Sequence, residues 1–343
     1  MTEHVLHEIF PLTSDEDAEV MMPLYNTVWE ELNPHHRPMT VADYRSRADR
    51  PTMTVWHFVA TDSDGAVIGL VIPAHFTDGS NAHLQWLQLL VDPGHRRSGV
   101  GKALLAKALE MAVAHGRTVV TVDTFESMPA GVAFSEAVHA EIGIREHINI
   151  VDVDALDIDM LERWRSEGRG RAPGYEVLIW EDDYPEEHYG AIAELNVMAD
   201  EDMPMEDLDM EPFATSADDV RDWIAKAKNV MEFITVVVRH LESGELVGFT
   251  ELLYRFSDPD TMQTTLTMVH RDHRGHALGK WIKATAILRG VERWPGAVRI
   301  KTENAKSNDA MLGINMQIGF EPRNSVLGYQ ATTDVIAAYL KDS

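Results

Sequence analysis

The stretch that decides the fold is Leu89-Leu90-Val91-Asp92-Pro93-Gly94-His95-Arg96-Arg97-Ser98-Gly99-Val100-Gly101, which continues into Lys102-Ala103-Leu104-Leu105. An apolar strand ends in a short polar turn, and a glycine-rich segment then opens an amphipathic helix. Backbone N–H groups that are free at such a positively polarised helix end form a site for a pyrophosphate. The pattern therefore predicts a phosphate-binding loop.

The pattern occurs a second time, as Thr267-Met268-Val269-His270-Arg271-Asp272-His273-Arg274-Gly275-His276-Ala277-Leu278-Gly279 before Lys280-Trp281-Ile282. The first arginines of the two loops, Arg96 and Arg274, are 178 positions apart. Two hairpin signals, at 64–69 and 243–248, repeat with an offset of 179, and Gly143 and Gly319 repeat with an offset of 176. Three landmarks of different chemistry at nearly one spacing predict two copies of one domain.

Both loops resemble the acyl-CoA loop of the GCN5-related N-acetyltransferases, the GNAT family, written (Gln/Arg)-x-x-Gly-x-(Gly/Ala). Residues 96–101 match it fully, whereas residues 274–279 have Ala277 where the first glycine is usual. The resemblance covers essentially the whole chain as a tandem pair, similar to mycothiol synthase and some antibiotic-pathway acetyltransferases. It implies an α/β fold with a mixed sheet, built from two tandem acyl-CoA N-acyltransferase domains, and acetyl-CoA as the co-substrate.

The domain boundaries follow from composition. Residues 166–174 are rich in glycine, proline and charge, which is typical of a linker. We therefore expect an N-terminal domain over 1–165 and a C-terminal domain over 175–343. A chain of 343 residues with 45% apolar residues is long enough for two domains with separate cores.

Charge and cysteine content exclude several functions. A net charge of −26 argues against nucleic acid or an anionic membrane as a partner, because such a surface repels polyanions. The absence of cysteine excludes disulfides, thiolate metal sites and a cysteine nucleophile, and agrees with a cytoplasmic location. No run of about 18 apolar residues occurs. The pair His35-His36 has no metal-binding motif around it, so no metal is expected.

CoA is itself an anion, and basic residues gather at both loops. They are His95, Arg96, Arg97 and Lys102 at the first, and His273, Arg274, Lys280 and Lys283 at the second. A solvated basic surface is the alternative interpretation, but the coincidence with both glycine loops favours phosphate binding. The predicted CoA-binding residues are Leu90, Val91, Arg96, Arg97, Ser98, Gly99, Val100, Gly101, Lys102, Met268, Val269, Arg274, Gly275, His276, Ala277, Leu278, Gly279, Lys280, Asn304 and Asn308.

Acetyl transfer to an amine needs a neutral nucleophile, a polarised thioester carbonyl and a proton for the departing thiolate. The resemblance implies that backbone N–H groups near Leu90 and Val91, or Met268 and Val269, polarise the carbonyl. Glu251 stands in an otherwise apolar strand, where an unpaired carboxylate is costly, and it is the predicted base. An outward-facing strand glutamate is the alternative.

The usual acid of the family is a tyrosine four residues before the glycine of a Gly-Phe pair. Asn315 stands there in the second half and His139 in the first. Tyr329 is the predicted substitute in the second half, with Tyr254 and water as alternatives, and each tyrosine has a packing role as its own alternative. Asn304 and Asn308 resemble the asparagines that hold the CoA arm; loop and helix-capping roles are the alternative.

The acidic segment 199–211 has two interpretations, a solvated loop or a lid that attracts a cationic amine. The second half is the predicted catalytic copy, because the 179 offset places Ile72 where it has Glu251. Three functions stay open: N-acetylation of a small-molecule amine, a non-catalytic acyl-CoA sensor or scaffold, and a tRNA-dependent acyltransferase. The third expects a basic surface, which the charge does not favour. The oligomeric state and the acceptor amine are not determined by the sequence.

Overall fold

The computed structural model describes residues 5–9, 14–32, 37–48 and 53–342. Its strands are β1 (Val5–Ile9), β2 (Met53–Val55), β3 (His57–Thr61), β4 (Val67–Phe76), β5 (Leu84–Val91), β6 (Val119–Phe125), β7 (Glu141–Asp152), β8 (Tyr175–Glu181), β9 (Met231–His240), β10 (Leu246–Arg255), β11 (Thr261–Val269), β12 (Arg299–Ala305) and β13 (Glu321–Thr332). Its α-helices are α1 (Asp15–Glu19), α2 (Met22–Leu32), α3 (Val41–Ala48), α4 (Val100–Ala114), α5 (Pro129–Ala137), α6 (Ile158–Arg171), α7 (Tyr189–Asp202), α8 (Ala217–Ala227), α9 (Leu278–Arg293), α10 (Asp309–Ile318) and α11 (Thr333–Asp342).

The chain forms two compact units, and the first consists of residues 1–145, 205–211 and 325–343. Its strands follow the order β1, β3, β4, β5, β6, β13, with β2 paired to β4. Successive residues of β4 enter different cores, as strand geometry requires. Val71 packs among residues of α4, whereas Leu70 and Ile72 pack among residues of α1 and α2. The sheet is therefore covered on both faces.

The second unit consists of residues 146–204 and 212–324. Its strands follow the order β7, β12, β11, β10, β9, β8. The same alternation occurs in β9. Val236 and Val238 pack in a core with residues of α9, whereas Phe233 and Val237 pack with residues of α7 and α8. The two units thus repeat one α/β architecture with a mixed sheet, as the sequence repeat predicted.

The last strand of each unit comes from a distant part of the chain. In the first unit, β13 pairs antiparallel with β6, from Val326↔Phe125 to Thr332↔Val119. In the second, β7 pairs antiparallel with β12, from Arg299↔Asp152 to Ala305↔Glu146. The strand that follows α5 therefore belongs to the second unit, and the strand that follows α10 belongs to the first.

This arrangement differs from the boundaries expected from composition. Residues 166–171 of the expected linker are the end of α6, where Gly168 packs against the ring of Trp281, and Tyr175 already begins β8. Glycine is needed at position 168 because an added Cβ would lie 2.4 Å from the Trp281 ring. The boundaries 1–165 and 175–343 expected from composition therefore differ from those of the two compact units.

Most secondary structure near the repeat agrees with the sequence analysis. An apolar strand precedes each loop and a helix follows it, with β5 and α4 at the first loop and β11 and α9 at the second. No helix of the described ranges is long and apolar enough to cross a membrane.

Two histidines of the first unit are buried without adequate partners. His57 is 1% exposed, and neither ring nitrogen has a hydrogen-bond partner among the described residues. His75 is 2% exposed and bonds only through Nε2, 2.9 Å from Gln85 Oε1. Burial lowers the pKa of each to about 4. The folded protein therefore holds both in the neutral form.

We predict that these histidines make the fold acid-sensitive. The unfolded chain binds a proton at each position below its ordinary pKa of 6.5, whereas the folded chain does so only near 4, so stability falls as pH decreases through this window. The loss reaches about 3 kcal/mol for each group at most. Denaturant unfolding between pH 7 and 4 measures it, and His57→Leu should reduce the slope. An equal slope in this variant would contradict the assignment.

We also predict that the fragment 146–324 folds, whereas 175–343 does not. The first contains all six strands of the second unit, but the second lacks β7 and carries β13 without its partner β6. Circular dichroism and thermal unfolding of the purified fragments check this, with the full chain as the reference. A cooperative transition of 175–343 alone would support the boundaries expected from composition instead.

Candidate active site

The second unit contains a cleft between two parallel strands. β11 pairs with β12 only from Thr261↔Arg299 to Thr264↔Thr302. Beyond these residues β11 stays paired with β10 as far as Val269, and β12 stays paired with β7 as far as Ala305. Each strand thus keeps its outer partner while the inner pairing ends. The backbone of β11 beyond Thr264 is left available to a ligand on this side.

The first unit has the same opening. β5 pairs with β6 from Leu84↔Val119 to Leu87↔Val122, and β5 then continues beside β4 to Val91. The predicted carbonyl-polarising residues lie in these open stretches, with Leu90 and Val91 on β5 and Met268 and Val269 on β11. Both glycine loops follow directly, and they lead into α4 and α9.

Each loop holds two residues in the left-handed backbone region. In the first loop they are Arg97 (φ 62°) and Gly99 (φ 96°), and in the second they are Gly275 (φ 87°) and Ala277 (φ 57°). At these equivalent positions the first loop has its glycine second, whereas the second loop has its glycine first. A left-handed residue other than glycine costs about 1–2 kcal/mol, and such strain is typical of ligand-binding loops. The alternation turns backbone N–H groups toward one side, as anion-binding loops do.

The first arginine of each loop holds the loop in place. Arg96 donates from Nε to the Val91 carbonyl at 3.3 Å and forms a two-pronged pair with Glu31 of α2, at 2.8 and 2.5 Å. This pair lowers the pKa of Glu31. Arg274 donates from Nε to the Val269 carbonyl at 3.0 Å and pairs with Asp202 of α7. Because each guanidinium already has a carboxylate partner, the backbone N–H groups are the better candidates for direct phosphate contact.

The acidic segment 199–211 is not a free lid. Its first part ends α7, where Asp202 pairs with Arg271 at 2.8 Å. Its second part, 205–211, is bonded within the first unit. Glu211 donates its N–H to Asn81 Oδ1 at 2.7 Å, and Asp209 donates its N–H to Gln330 Oε1 at 2.8 Å. These bonds hold the backbone of this segment at Asp209 and Glu211, and its role toward an amine stays a prediction.

Glu251 lies opposite an irregularity in β11. Between the pairs Thr250↔Thr267 and Leu252↔Thr264, two residues of β11 stand opposite Glu251 alone. On its other side Glu251 pairs regularly with Thr235 of β9. A β-bulge turns side chains out of the ladder and is over-represented next to active sites. The bulge lies beyond Thr264, in the part of β11 that lines the cleft.

The carboxylate of Glu251 has hydrogen-bond partners that the sequence did not reveal. Tyr184 donates its hydroxyl to Glu251 Oε1 at 2.6 Å, and Thr265 donates to Oε2 at 3.3 Å. Thr235 in turn donates to the Tyr184 oxygen at 3.2 Å. Burial raises the pKa of Glu251, and burial together with the Glu251 charge raises the pKa of Tyr184 well above its ordinary value. Desolvation thus makes the Glu251 carboxylate more basic, and Tyr184 is a neutral donor that orients it.

The first unit lacks this arrangement. Its strands β4 and β5 pair regularly from Gly69↔Val91 to Ala74↔Trp86, without a bulge. Ile72 stands opposite Gln88, and the Gln88 amide oxygen accepts a bond from the Tyr25 hydroxyl at 3.0 Å. An aliphatic side chain cannot accept a proton, so this copy has no base at the equivalent position.

The predicted asparagines lie together at the open end of β12. Asn315 of α10 donates from Nδ2 to Asn304 Oδ1 at 2.7 Å. Asn308 caps α10, because its Oδ1 accepts the N–H of Met311 at 3.2 Å. The capping alternative thus describes Asn308, and its role toward CoA stays a prediction.

The structure corrects the predicted equivalence of Gly143 and Gly319. The left-handed residue that ends α10 is Gly319, but the one that follows α5 is His139. The next strands begin at Glu141 and Glu321, so the offset here is 180. Ser135, and not His139, is therefore equivalent to Asn315. The His139 side chain is exposed, and its backbone adopts the left-handed conformation just after α5.

The two substitute tyrosines do not join Glu251. Tyr329 lies on β13 opposite Val122, in the first unit, so it cannot be assigned to the second copy on the basis of sequence order. Tyr254 stacks on Trp294 with ring centroids 5.0 Å apart, as its packing alternative predicted. Tyr184 is the tyrosine that meets the predicted base. It carries no motif, so no sequence signal marked it.

The remaining predicted residues line the loops. Ser98 bonds the His95 carbonyl, His276 packs beside the ring of Tyr175, and Lys280 donates to Gln317 Oε1 at 2.7 Å. Val100, Gly101 and Lys102 form the first turn of α4, and Leu278 and Gly279 that of α9. The pair His35-His36 lies outside the described residues. Within the described ranges, no group of three or more histidines, aspartates or glutamates could hold a metal ion.

Comparisons with known proteins agree with this geometry. Residues 19–139 match the model of the acetyltransferase (GNAT) family. The whole fold is similar to a tandem GNAT protein from the clavulanic acid biosynthesis pathway, with a TM-score of 0.76 and 24% identity over 96% of this chain and 99% of that chain. It is also similar to a GCN5-related N-acetyltransferase from Sphaerobacter thermophilus, with a TM-score of 0.63 and 11% identity over 96% of each chain. Among curated proteins, none matches this chain.

We predict up to two acetyl-CoA sites in each chain. Gly99→Val should remove one of them, because a β-branched residue at φ 96° is strained and its side chain would enter the open space beside the loop. Isothermal titration with acetyl-CoA measures the number of sites. Gly79→Val is the matched control, since Gly79 has φ 88° and open space but lies outside the loop. A single site that Gly99→Val leaves unchanged would contradict this prediction.

Proposed function

We propose that this chain is an acetyl-CoA-dependent N-acetyltransferase for a small-molecule amine, because residues 19–139 match the GNAT family model and the fold is similar to that of a tandem GNAT protein. The second unit performs the chemistry, and the first binds CoA or has a structural role. The observation that carries the proposal is the Glu251 carboxylate, held by Tyr184 and Thr265 opposite the bulge of β11. The first unit has no equivalent group.

Acetyl-CoA supplies the acetyl group as a thioester, and this chain supplies proton transfer and orientation. Glu251 accepts a proton from the ammonium of the acceptor, which makes the amine nucleophilic. Tyr184 keeps the carboxylate in one orientation, because its own raised pKa leaves it protonated. Free backbone N–H groups of β11 beyond Thr264 polarise the thioester carbonyl.

A cationic acceptor fits the charge of this protein. The net charge of −26 attracts amines and repels other phosphorylated molecules, while CoA is accepted locally by the backbone of the loops. Polyamines, aminoglycosides, amino-sugar compounds and peptide amines share this chemistry. Thiol release from acetyl-CoA, measured across a panel of these amines, identifies the class that is accepted.

A non-catalytic acyl-CoA sensor or scaffold is the second candidate. It is favoured by Asn315, which stands where the family has its tyrosine acid and which is bonded to Asn304. An amide cannot donate a proton to a thiolate at a useful rate. Acetyl-CoA binding without thiol release, for every amine of the panel, would favour this candidate.

We predict that Glu251→Gln lowers kcat by roughly 10²-fold or more, with acetyl-CoA affinity nearly unchanged. The wild-type kcat should fall as pH decreases through the raised pKa of Glu251, because protonation removes the base. The fall of kcat with decreasing pH should be absent from the Glu251→Gln variant. Steady-state kinetics across pH measure both effects.

His139→Asn is the matched control for the first unit. Asparagine tolerates the left-handed conformation of this exposed position, so turnover should stay within a few-fold of the wild type. An inactive His139→Asn together with a fully active Glu251→Gln would move the active site to the first unit.

A further inference from the structure

Lys283 is a buried lysine that takes no part in the predicted phosphate binding by the second loop. The sequence placed it in the basic cluster of the second loop, but it lies inside α9 and is 1% exposed. Its ammonium lies 4.0 Å from Met311 Sδ and 5.6 Å from the centre of the Phe320 ring. Among the described residues, no carboxylate lies within ion-pair distance of it. The nearest basic residue on the same helix, Lys280, is occupied by Gln317.

The equivalent residue of the first unit shows that the fold does not require this lysine. The offset of 178 between the loops places Leu105 there, and Leu105 packs in the apolar core beside α4. A lysine buried without a counter-charge is costly to a fold, whereas leucine at the same place is favourable. The second unit therefore retains a destabilising group at a position where its own duplicate has an ordinary core residue.

A second buried polar group lies on the same face of α10. Asn315 follows Met311 by four residues, so the two side chains are neighbours along the helix. Asn315 is 1% exposed, and its Oδ1 has no hydrogen-bond partner among the described residues, although its Nδ2 bonds Asn304. Buried polar atoms are nearly always paired, so an unsatisfied amide oxygen near a buried lysine whose only hydrogen-bond partner in the described part of the chain is a thioether indicates a place for a ligand.

These groups lie at the wall of the cleft. Asn304 is two residues beyond Thr302, the last residue of β12 that pairs with β11. α9 begins directly after the second loop, and α10 begins at the cap residue Asn308. The cluster of Lys283, Met311, Asn315 and Asn304 thus connects the loop helix with the open end of β12.

We propose that Lys283 gives the departing CoA thiolate its proton in the second unit, in place of the missing tyrosine. This inference rests on the proposed function. A thiolate is a weakly hydrated anion. It can therefore be accommodated at a dry site that contains one cation and a thioether. Desolvation lowers the pKa of Lys283 to about 7, so its ammonium loses a proton readily at neutral pH.

The proton balance closes without another reactant. The amine attacks the thioester carbon, the new C–N bond forms, and the C–S bond breaks with its electron pair on sulfur. The Lys283 ammonium protonates this sulfur and becomes a neutral amine. Glu251 passes the proton of the acceptor ammonium to water before the attack, and it takes a second proton from the attacking nitrogen as the C–N bond forms and releases this one to water as well. Lys283 regains one proton from water. The net products are the acetylated amine, CoA and one proton.

The test uses the ionisation of the thiol of bound CoA, which needs no acceptor. Ultraviolet absorbance of the thiolate is titrated in the full chain with bound CoA. A nearby ammonium favours the thiolate, so Lys283→Met should lower the ionisation constant of the bound thiol by about tenfold or more. The variant should bind acetyl-CoA and melt at an equal or higher temperature, because it removes a buried charge. Leu105→Met, at the equivalent place in the first unit, should leave the thiol ionisation unchanged.

A second variant separates proton transfer from charge alone. Lys283→Arg keeps the positive charge but cannot give up its proton, so it should keep the low thiol pKa while turnover falls. Unchanged thiol ionisation in Lys283→Met, or full turnover in Lys283→Arg, would overturn the proposal. So would a Lys283→Met protein that melts at a lower temperature and loses acetyl-CoA binding, because Lys283 would then be structural. Failure of the wild type to bind CoA would instead reject the proposed function.

Discussion

The constraint on which the site depends is the early end of parallel pairing in each unit. β11 and β12 share only four register pairs, and β5 and β6 likewise. An unpaired backbone is normally costly inside a sheet, but here each separating strand keeps its outer neighbour, so the sheet holds while the inner side opens. The glycine loop and the helix that follows it lie at this opening. The same interruption thus provides a place for an acyl chain and an end where backbone N–H groups face an anion.

Both copies have this opening, but the residues around it differ between them. Both copies hold their loop by an arginine that bonds the end of its own strand and a carboxylate at the end of a helix. In the second copy, the strand at the opening has a bulge beside Glu251, and the buried face of the loop helix carries Lys283. In the first copy, regular pairing, Ile72 and Leu105 stand at these places. At these two places the second copy has a desolvated carboxylate and a buried lysine, whereas the first has aliphatic side chains.

The repeat, the loops and the base could be predicted from the sequence, because each leaves a local pattern. Glu251 is visible as a charge within an apolar strand. Its partner Tyr184 is not, since it comes from a connection 67 residues earlier and meets Glu251 only through the fold. Lys283 was grouped with the phosphate-binding cations of the second loop, because a helix start with several cations does not reveal which of them faces inward. Gly143 was also wrongly aligned with Gly319. Gly319 ends α10, whereas Gly143 lies inside β7, beyond the left-handed His139 that follows α5.

The two units are built from different segments of the chain, and this determines the order in which they can be completed during synthesis. The second unit ends at residue 324, whereas the first needs β13 (Glu321–Thr332), most of which lies after that point. During synthesis from the N-terminus, the first unit emerges early with β6 as an open edge, and an open edge is prone to pair with other chains. The second unit can be complete before the last strand leaves the ribosome. The copy that is made first is therefore finished last, and its exposed edge depends on β13 for protection.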